Sequence, residues 1–531
     1  MNIELQDFLF SSPTRKQLLE YVPTLSNEYV VQVFRNHSFE FIEHTIHPYL
    51  EYGQLGVKFT YSGYDDTLTF NELNCEANAL ILWLDSRRYH SQEQFEKFIT
   101  SRMIYLRSIY TKPVLLVVAG MDVKAESASM LTFSLQGLEM QMGTCFWDER
   151  ASAITGTSLS RKAMMAIARE LGLRYIPALL CPALKAVVVD FDNTLYNGVL
   201  GEDGIWGVQV TEGHYRLQKQ LKELSNRGVM LCAASKNELE DVEKLLNERE
   251  DFPLDTGDFA KLCVSWQPKS QSIQEIANYL NIGVDSILFI DDNIGELRSV
   301  TMAFPQIKAI LAKEDANITT EILENYPGLF IVSNSSTGFC RKEDIIANEK
   351  RKELMDQVSN KSDYIRSLGI SLEFQRDNTS VAKRISELAN KTNQFIFNYQ
   401  RYTEAEIMHL MERTESTVVS VSLSDMLSDS GLIAVCVGRR LEKNICVLEE
   451  CFMSCRAMGR GIEDIIILGA VQKVLEYLDC DKLRICFQDG PRNAPAKKFV
   501  QDYLEHYLND SDRFSYQVPK NLVNVNYMEG K

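Results

Sequence analysis

The sequence predicts an α/β protein with two successive parallel-sheet domains, followed by a mixed α+β domain. Its length of 531 residues exceeds what one ordinary hydrophobic core supports, and two to four domains are expected. Strand-like apolar runs alternate with amphipathic helical stretches, which is typical of parallel sheets covered by helices. The composition, 45% hydrophobic and 24% charged, is that of a soluble globular protein.

We expect four segments along the chain, of which residues 1–182 form the first domain. The strand-like runs in this first domain are residues 29–34, 56–61, 79–84 and 114–118, and the clearest amphipathic helix spans residues 92–110. The remaining segments are a second parallel-sheet domain at 183–340, a charged connecting helix at 341–368, and the α+β domain at 369–531, which ends in a strand-like run at 516–526.

Charge and composition exclude several classes of protein. The net charge of −17 argues against a general nucleic-acid binder, which needs clustered basic surface. The first residues lack a signal-peptide pattern, and no apolar run approaches the roughly 18 residues of a membrane span. The twelve cysteines contain no C-x-x-C pair, so a zinc or disulfide scaffold is not indicated. We therefore expect a cytoplasmic protein without membrane insertion.

The most informative segment is the run Val187–Leu195, in which Asp190, Asp192 and Thr194 follow an apolar strand. Residues i and i+2 of a strand point the same way, so both carboxylates can face one reacting group at the carboxyl edge of the sheet. A strand end capped by a solvated Asx turn would give the same two carboxylates.

Three downstream positions favour phosphoryl chemistry over a simple turn. Ser235 ends a second apolar strand at 228–235, Lys269 follows Trp266-Gln267-Pro268, and Asp291-Asp292 close a further strand at 286–290. A phosphoryl group in transit spreads negative charge over its oxygens, so a carboxylate nucleophile needs a divalent cation and an ammonium nearby. The ordered set supplies a nucleophile, phosphate-binding groups and metal ligands.

These motifs resemble those of the haloacid dehalogenase superfamily of aspartyl-phosphate enzymes. The resemblance implies that Asp190 is the nucleophile and that Asp192 is the general acid and base. It implies Mg²⁺ held by Asp190, by Asp291 with Asp292, and by the backbone carbonyl of Asp192. The residues expected to bind phosphate and substrate are Thr194, Ser235, Lys236, Asn237 and Lys269.

The predicted domain has little room for a cap over this site. The helix predicted at 215–227 leaves only residues 197–213 as a flap between the first two motifs. A small cap leaves the site open, and such sites take phosphate groups borne by bulky partners or use neighbouring domains to exclude water.

A second candidate site lies in the last domain, between a strand at 445–452 and a helix at 462–478. The intervening Arg456-Ala-Met-Gly459-Arg460-Gly461 resembles the pyrophosphate-binding loop of GNAT acyltransferases. Glycines and a helix N-terminus there would bind coenzyme A or the phosphopantetheine arm of an acyl carrier. A glycine-rich turn before a buried helix is the alternative.

Taken together, the motifs resemble the FkbH-like family, haloacid dehalogenase subfamily IIIC, over nearly the whole chain. The additional matching segments are Gly198–Gly204, Trp266–Ser270, Lys391–Phe395, Asp429–Gly431, Ser454–Glu463 and Gly490–Asn493. The resemblance implies that a phosphorylated three-carbon acid such as 1,3-bisphosphoglycerate loses phosphate while its glyceryl unit becomes a thioester on an acyl carrier protein. Polyketide and surface-polysaccharide pathways are both compatible with it.

Cys455 is a candidate for a transient acyl thioester, since Arg456 and a nearby helix start lower a thiol pKa. A small buried residue at a strand end is the alternative. An acidic carrier would be steered by cations expected near this loop. These cations are Arg439, Arg440, Arg456, Arg460, Arg484, Arg492, Lys497 and Lys498. Ordinary solvated surface is the alternative for most of them.

The N-terminal domain is similar to the SGNH hydrolases, with Asn36-His37-Ser38 where their nucleophile loop would be. Such a serine needs a histidine late in the domain, and the sequence has none between His90 and His214. We therefore expect an inactive, hydrolase-like scaffold, in which Ser38 and Asp85 are the residues to examine.

Three functions remain open from the sequence. The first is a Mg²⁺-dependent enzyme that couples phosphoryl chemistry at Asp190 to acyl transfer in the last domain. The second is a plain phosphatase acting on a phosphorylated sugar or small acid. The third is a carrier-docking scaffold without catalysis.

Overall fold

The computed structural model describes the chain apart from residues 1–2, 65–67, 123–129, 151, 331–346, 348–349, 352–353, 356–359, 455–456, 491–492 and 530–531. Within the described residues it contains two five-stranded sheets and one seven-stranded sheet. The first two sheets belong to one unit, Met1–Ile273 with Asp285–Asn334, and the third belongs to another, Gln274–Val284 with Ser335–Lys531.

The first sheet is fully parallel, with strand order β2-β1-β3-β4-β5. Its strands are β1 (Tyr29–Arg35), β2 (Val57–Tyr61), β3 (Ala79–Asp85), β4 (Val114–Ala119) and β5 (Met130–Ser134). Its helices are α1 (Ile3–Phe10), α2 (Arg15–Glu20), α3 (Glu40–Tyr52), α4 (Gln92–Ile109), α5 (Gln136–Met142), α6 (Ser152–Thr155), α7 (Arg161–Glu170) and α8 (Ile176–Leu180). This is the flavodoxin-type order, and the parallel sheet predicted for this domain is confirmed.

Burial on both faces explains the apolar character of the central strands. Every residue of β3 and β4 is buried, because helices cover both faces of a parallel sheet. Residues of α3 and α7 pack on one face and residues of α4 on the other. The helix α4 begins where the Ser91 hydroxyl accepts a hydrogen bond from the Gln94 amide, a typical N-cap.

The second sheet is also parallel, with strand order β10-β9-β6-β7-β8. Its strands are β6 (Ala186–Val189), β7 (Met230–Ser235), β8 (Lys261–Val264), β9 (Ile287–Asp291) and β10 (Lys308–Leu311). Its helices are α9 (Leu200–Asp203), α10 (Glu212–Asn226), α11 (Leu239–Glu248), α12 (Lys269–Leu280), α13 (Ile294–Ala303) and α14 (Ala316–Glu324). The chain leaves β6 toward β7 on one side and places β9 on the other, so the carboxyl end of β6 is a topological switch point.

The expected minimal cap is confirmed. Between β6 and α10 the chain makes a short flap, residues 197–213, which contains only the four-residue helix α9. Its base is closed by Asn197 and Gln209, whose backbone amides and carbonyls exchange hydrogen bonds of 2.8 and 2.9 Å. The carboxyl edge of the second sheet is therefore not covered by an inserted domain.

The third sheet is mixed, with strand order β16-β15-β14-β13-β12-β11-β17. Its strands are β11 (Ser371–Arg376), β12 (Ser416–Ser424), β13 (Asp429–Glu442), β14 (Ile445–Met453), β15 (Lys482–Ile485), β16 (Asp512–Arg513) and β17 (Asn524–Glu529). Its helices are α15 (Lys361–Ser367), α16 (Ala382–Lys391), α17 (Glu404–Glu412), α18 (Glu463–Tyr477) and α19 (Ala494–Tyr503). The α+β prediction for this region is confirmed.

The strand predicted at 516–526 is wrong over most of its length. Only β17, which starts at Asn524, pairs with β11. Pro519 lacks an amide hydrogen for a strand ladder, and its carbonyl instead accepts hydrogen bonds from the amides of Leu522 and Val523. The apolar residues before Asn524 therefore pass through a turn.

Half of the predicted connecting helix at 341–368 lies outside the described residues. Its final part is helix α15, which begins after Asn360, whose side chain accepts a hydrogen bond from the amide of Ser362. None of the described helices is both long and apolar enough to cross a membrane.

Candidate functional site

The candidate residues of the second sheet lie at its carboxyl edge. Asp190 directly follows β6, Ser235 ends β7, Asp291 ends β9, and Lys269 is the first residue of α12 after β8. Because parallel strands end at the same edge, residues separated by a hundred positions in sequence meet there. The site is built by the topology of the sheet.

Three carboxylates converge at this edge. Asp190, Asp291 and Asp292 each place one oxygen within 4.8 Å of the others. Burial, followed by the negative charge of Asp190, raises the pKa of Asp291 to about 7 and also raises the pKa of Asp292. Like charges held this close are unfavourable unless a cation compensates them.

Lys269 supplies part of that compensation. Its ammonium lies 2.7 Å from Asp190 Oδ2 and 2.5 Å from Asp291 Oδ2, and all three side chains are buried. Burial alone lowers the pKa of Lys269, but the charges of Asp190 and Asp291 outweigh it and raise the pKa above its usual value. The lysine therefore stays an ammonium beside the carboxylates.

Two buried oxygens at the site have no hydrogen-bond donor or acceptor among the described residues. They are Asp190 Oδ1 and Thr194 Oγ1. A buried polar atom without a partner is costly, so it indicates a missing ligand atom. The three clustered carboxylates are a donor set that suits Mg²⁺, which prefers a few carboxylates plus water and phosphate oxygens.

Asp192 occupies a different environment from the three clustered carboxylates. Its Oδ1 accepts hydrogen bonds from the Tyr196 hydroxyl at 2.7 Å and from the Leu200 amide at 3.0 Å. Its Oδ2 accepts one from Asn237 Nδ2 at 3.1 Å. The side chain of Asp192 is outside the carboxylate cluster, so a contribution to the metal would come from its backbone carbonyl, as the resemblance implies.

Residues 235–237, at the end of β7, make further polar contacts at the carboxyl edge of the second sheet. Asn237 Nδ2 also donates to Ser235 Oγ at 3.1 Å, and both residues are buried. The ammonium of Lys236 lies 2.6 Å from Glu296 Oε1 at the start of α13. Asn237 thus connects Ser235 to Asp192, whereas the charge of Lys236 is compensated by Glu296 of a neighbouring helix.

Sequence reasoning missed Tyr196, Glu296 and the amide of Leu200. Tyr196 is fully buried, and burial followed by the charge of Asp192 raises the pKa of its hydroxyl well above the usual range, so it remains a donor. Its position four residues after Asp192 is a weak indication in the sequence. Nothing in the sequence indicates Glu296, which lies 60 positions from Lys236.

The second candidate site is only partly described, since Cys455 and Arg456 lie outside the described residues. Gly459 and Gly461 have φ values of +80° and +73°, the left-handed region that favours glycine. The amide of Gly459 donates to the carboxylate of Glu463 at 2.6 Å. The Gly459 amide is therefore already hydrogen-bonded to a carboxylate of the chain itself, that of the first residue of α18.

The expectation that Arg460 binds an acyl carrier or coenzyme A finds no support in the position of its side chain. Its guanidinium is 1% exposed, lies 3.0 Å from Asp425 Oδ2 and donates to Ser430 Oγ at 2.7 Å. Arg351 pairs with the same buried carboxylate at 2.8 Å. Arg460 is part of an internal ion-pair network, because the turn at 457–461 directs it inward toward the loop before β13.

The expected concentration of cations near this loop is also wrong for three of them. Arg439 and Arg484 lie opposite Val447 in the sheet, and Arg440 lies opposite Cys446. Val447 is seven residues before Ser454, a distance of about 23 Å along a strand. In addition, Arg439 pairs with Glu449 at 2.5 Å. Lys497 pairs with Asp489, and Arg492 lies outside the described residues.

The end of β14 nearest the loop is occupied by another segment of the chain. The amide of Phe397 donates to the Cys451 carbonyl at 3.0 Å, and that of Met453 donates to the Phe395 carbonyl at 2.9 Å. The buried carboxylate of Glu450 accepts the amides of Phe397 at 2.9 Å and of residues 398 and 400 at 3.0 and 2.7 Å. Residues 395–400 are therefore fixed along this strand edge.

The described part of the N-terminal domain does not assemble a hydrolase site around Ser38. The Ser38 hydroxyl donates to Glu40 at 2.7 Å. The neighbouring His37 is buried, stacks on Trp83 with ring centroids 4.6 Å apart, and contacts Thr157 Oγ1 through Nδ1 at 3.0 Å. Asp85 is paired with Arg87 at 2.9 Å. Among the described residues of this domain, no histidine is hydrogen-bonded to the Ser38 hydroxyl.

Comparisons with known proteins give structural likenesses only. No family model matches the chain, and no curated protein matches it. The N-terminal part of the protein BF1531 from Bacteroides fragilis, described as containing a phosphatase domain complexed with Mg, is 18% identical with a TM-score of 0.47; the match covers 61% of this chain and 99% of that one. An uncharacterized protein from Corynebacterium glutamicum is 18% identical with a TM-score of 0.20, over 28% and 96% of the two chains. A ribosomal-protein-alanine N-acetyltransferase from Brucella melitensis is 13% identical with a TM-score of 0.20, over 28% and 98%.

Proposed function

We propose that this chain is a Mg²⁺-dependent phosphatase of the haloacid dehalogenase type in which Asp190 accepts the phosphoryl group. The observation that carries the proposal is the asymmetry of the Asp190 carboxylate. Its Oδ2 is fixed by Lys269, whereas its buried Oδ1 has no partner among the described residues. A carboxylate held at one oxygen and available at the other suits attack on phosphorus.

The residues around Asp190 account for the charge that develops in the reaction. Asp190, Asp291 and Asp292, with the Asp192 carbonyl as a further ligand, would hold Mg²⁺, which when bound would offset the negative charge on the transferring oxygens. Lys269 and the Ser235 hydroxyl bind those oxygens from the side of β7 and α12. Thr194, whose buried hydroxyl lacks a partner in the described chain, contributes a further hydrogen bond.

Asp192 carries the proton in both half-reactions. In the first, Asp190 forms a bond to phosphorus, and Asp192 gives its proton to the leaving oxygen. In the second, Asp192 takes a proton from a water that attacks the aspartyl phosphate, and inorganic phosphate leaves. The hydrogen bonds from Tyr196, Leu200 and Asn237 hold the carboxylate in one orientation for both transfers.

The finer proposal concerns the substrate and the fate of its acyl group. We propose a phosphorylated three-carbon acid such as 1,3-bisphosphoglycerate. The phosphopantetheine thiol of an acyl carrier protein attacks its C1 carbonyl and displaces the acyl phosphate, and Asp190 accepts the phosphoryl group from C3, which leaves a glyceryl thioester on the carrier. The open edge beside the short flap supports a phosphate borne by a large partner. The order of sequence motifs supports the acyl step, for which Cys455, Arg456, Gly459 and Gly461 remain the candidate residues.

A plain phosphatase is the second candidate, and two observations favour it. The amide of Gly459 is already hydrogen-bonded to Glu463, and the Arg460 side chain is buried in an ion pair with Asp425. Both observations reduce the number of hydrogen-bond donors and positive charges with which the loop before α18 could bind a pyrophosphate group. In this alternative the last domain takes no part in acyl chemistry.

One experiment tests the proposal and separates its two forms. The protein is incubated with Mg²⁺, 1,3-bisphosphoglycerate and a phosphopantetheinylated carrier; released phosphate and the intact mass of the carrier are measured. A glyceryl increment supports transfer, and phosphate release alone supports the plain phosphatase. Asp190→Asn is expected to abolish the release of phosphate from C3 and with it the glyceryl increment, whereas Asp241→Asn makes the same chemical change on a half-exposed helix position and retains both. Full activity of Asp190→Asn would contradict the proposal.

A further inference from the structure

The flap over the phosphoryl site has attachments besides its base, among them a hydrogen bond of 3.1 Å from the Gly198 amide to Asn193 Oδ1 and two others that involve Arg249 and Leu200. Within it, the amide of Val199 donates to Asp203 Oδ2 at 2.8 Å, and the amide of Gly204 donates to the Leu200 carbonyl at 2.9 Å. The chain then turns through Trp206, which is 70% exposed. Bonds within a four-residue helix do not fix its position relative to the sheet, so an outside anchor is needed.

Arg249, the residue that follows α11, is such an anchor. Its Nη1 donates to the carbonyls of Ile205 at 2.7 Å and Val208 at 3.1 Å, one on each side of the Trp206 turn. Its Nε and Nη2 donate to the two oxygens of Asp251, each at 2.7 Å. The Arg249 side chain is only 9% exposed. A planar guanidinium fixed bidentately on a carboxylate is a rigid donor toward a second partner.

The second point of attachment lies at the reactive end of the flap. Leu200, the first residue of α9, donates its amide to Asp192 Oδ1 at 3.0 Å. This bond connects the flap to the carboxylate that the proposed mechanism uses for proton transfer. Displacement of the flap would remove one of the three donors that orient Asp192 and leave those from Tyr196 and Asn237.

We propose that Arg249 is a positioning residue for phosphoryl transfer: it pins the flap through the carbonyls of Ile205 and Val208 so that the Leu200 amide holds the Asp192 carboxylate in its reactive orientation. The catalytic part of this inference rests on the proposed function. The positional part rests only on the hydrogen bonds described above. Arg249 itself does not touch the carboxylate cluster in the described structure.

Kinetics of Arg249→Ala test the catalytic part, with p-nitrophenyl phosphate and Mg²⁺ as the probe. The expected result is a fall in kcat of about tenfold, because misorientation of one proton-transfer group raises the barrier. KM is expected to stay within about twofold, since no phosphate-binding residue changes. Arg249→Lys restores a donor and is expected to recover kcat to within about threefold of the original chain. An unchanged kcat, or a loss matched by a loss of folded protein in circular dichroism, would overturn the inference.

Leu200→Pro removes the relevant amide hydrogen directly. Proline is tolerated at the first position of a helix, and Val199, with φ −119° and ψ 116°, has the extended conformation that precedes proline. If Arg249 acts through this amide, adding Arg249→Ala to Leu200→Pro lowers kcat by less than about twofold. A further tenfold fall in the double variant would show that Arg249 acts elsewhere.

Hydrogen exchange of the flap tests whether Arg249 holds the flap in place, independently of whether the chain is a phosphatase. The Leu200 amide is expected to exchange about tenfold faster in Arg249→Ala than in the original chain, with or without activity, because its bond to Asp192 opens more often. If the original chain shows no Mg²⁺-dependent phosphatase activity, the proposed function fails and this exchange rate alone decides whether Arg249 pins the flap. Unchanged exchange would overturn the inference in either case.

Discussion

The ammonium of Lys269 lies 2.5 Å from the Oδ2 atom of Asp291, and both side chains are buried at the carboxyl edge of the second sheet. The same ammonium contacts Asp190 at 2.7 Å. A buried ion pair is costly to break because the remaining charge is left without a partner. Lys269 is therefore expected to contribute to the stability of the folded chain as well as to the proposed reaction.

Replacing Lys269 with methionine is expected to lower both the free energy of unfolding and the phosphatase kcat. Without Mg²⁺, the free energy of unfolding should fall by about 3–5 kcal/mol, because Asp190 and Asp291 lose their shared cation. Phosphatase kcat should fall at least about 100-fold, since a donor to the transferring oxygens is lost. Urea unfolding and steady-state kinetics measure the two effects.

Lys236→Met is the matched control for stability. The Lys236 side chain is 38% exposed and pairs with Glu296 at 2.6 Å, so its loss should change the free energy of unfolding by less than about 1 kcal/mol. Equal destabilisation by the two lysine variants would contradict the special position of Lys269.

Mg²⁺ is expected to stabilise the folded chain through the three clustered carboxylates. At a concentration of 100 times its Kd, a ligand that binds only the folded state adds about 2.7 kcal/mol to the free energy of unfolding. Asp292→Asn should weaken Mg²⁺ binding and reduce the rise in Tm, whereas Asp241→Asn should leave it unchanged. Calorimetric titration and thermal unfolding with and without Mg²⁺ provide the measurements. A full Tm response in Asp292→Asn would remove that residue from the ligand set.

His37 is expected to make the stability of the chain depend on pH. Burial lowers its pKa from 6.5 to about 3, against a smaller opposing effect of Asp85. Between those values the unfolded chain binds a proton that the folded chain does not, so stability falls as the pH is lowered from 6.5.

The corresponding variant is His37→Phe, which keeps a ring against Trp83 but does not titrate. In urea unfolding between pH 6.5 and pH 4, its stability should fall less steeply than that of the original chain, by up to about 1.4 kcal/mol per pH unit. Between pH 7.5 and pH 9 the two slopes should be equal, which provides an internal control. Parallel curves throughout would show that His37 is not buried as a neutral ring.

Arg460 is expected to contribute to stability instead of ligand binding. Arg460→Met removes one of two arginines from the buried Asp425 carboxylate and should lower the free energy of unfolding by about 3 kcal/mol. Arg439→Met, at a partly exposed pair with Glu449, should cost less than about 1 kcal/mol. A stable Arg460→Met protein that had lost affinity for coenzyme A or a carrier would restore the role expected from the sequence.

The sequence identified the phosphoryl-site candidates because their positions depend on local patterns. Alternation of strands and helices predicts a parallel sheet, and the apolar runs end at Asp190, Ser235 and Asp291 within one or two residues of the observed strand ends. Parallel strands end at one edge, so their final residues meet whatever the intervening helices contain. The roles of these residues came from resemblance to a known motif.

Side-chain surroundings could not be predicted in the same way. Lys236 and Glu296 are 60 positions apart, and Arg460 and Asp425 are 35 apart. Neither spacing belongs to a helix or strand period, so the pattern of residues does not indicate these pairs. The cations grouped near residue 456 in sequence are separated because β14 is extended and places Arg484 and Arg439 near its opposite end.

By itself, the sequence determined the α/β class, the sheet edges and the set of acidic and basic residues that lie there, because hydrophobic periodicity and chain direction are local properties. Only the tertiary structure decided which oxygen of Asp190 is left available, that three donors hold Asp192, that Arg249 anchors the flap and that Arg460 is interior. Those relationships depend on the packing of segments distant in sequence, where burial and neighbouring charge set the behaviour of each polar group.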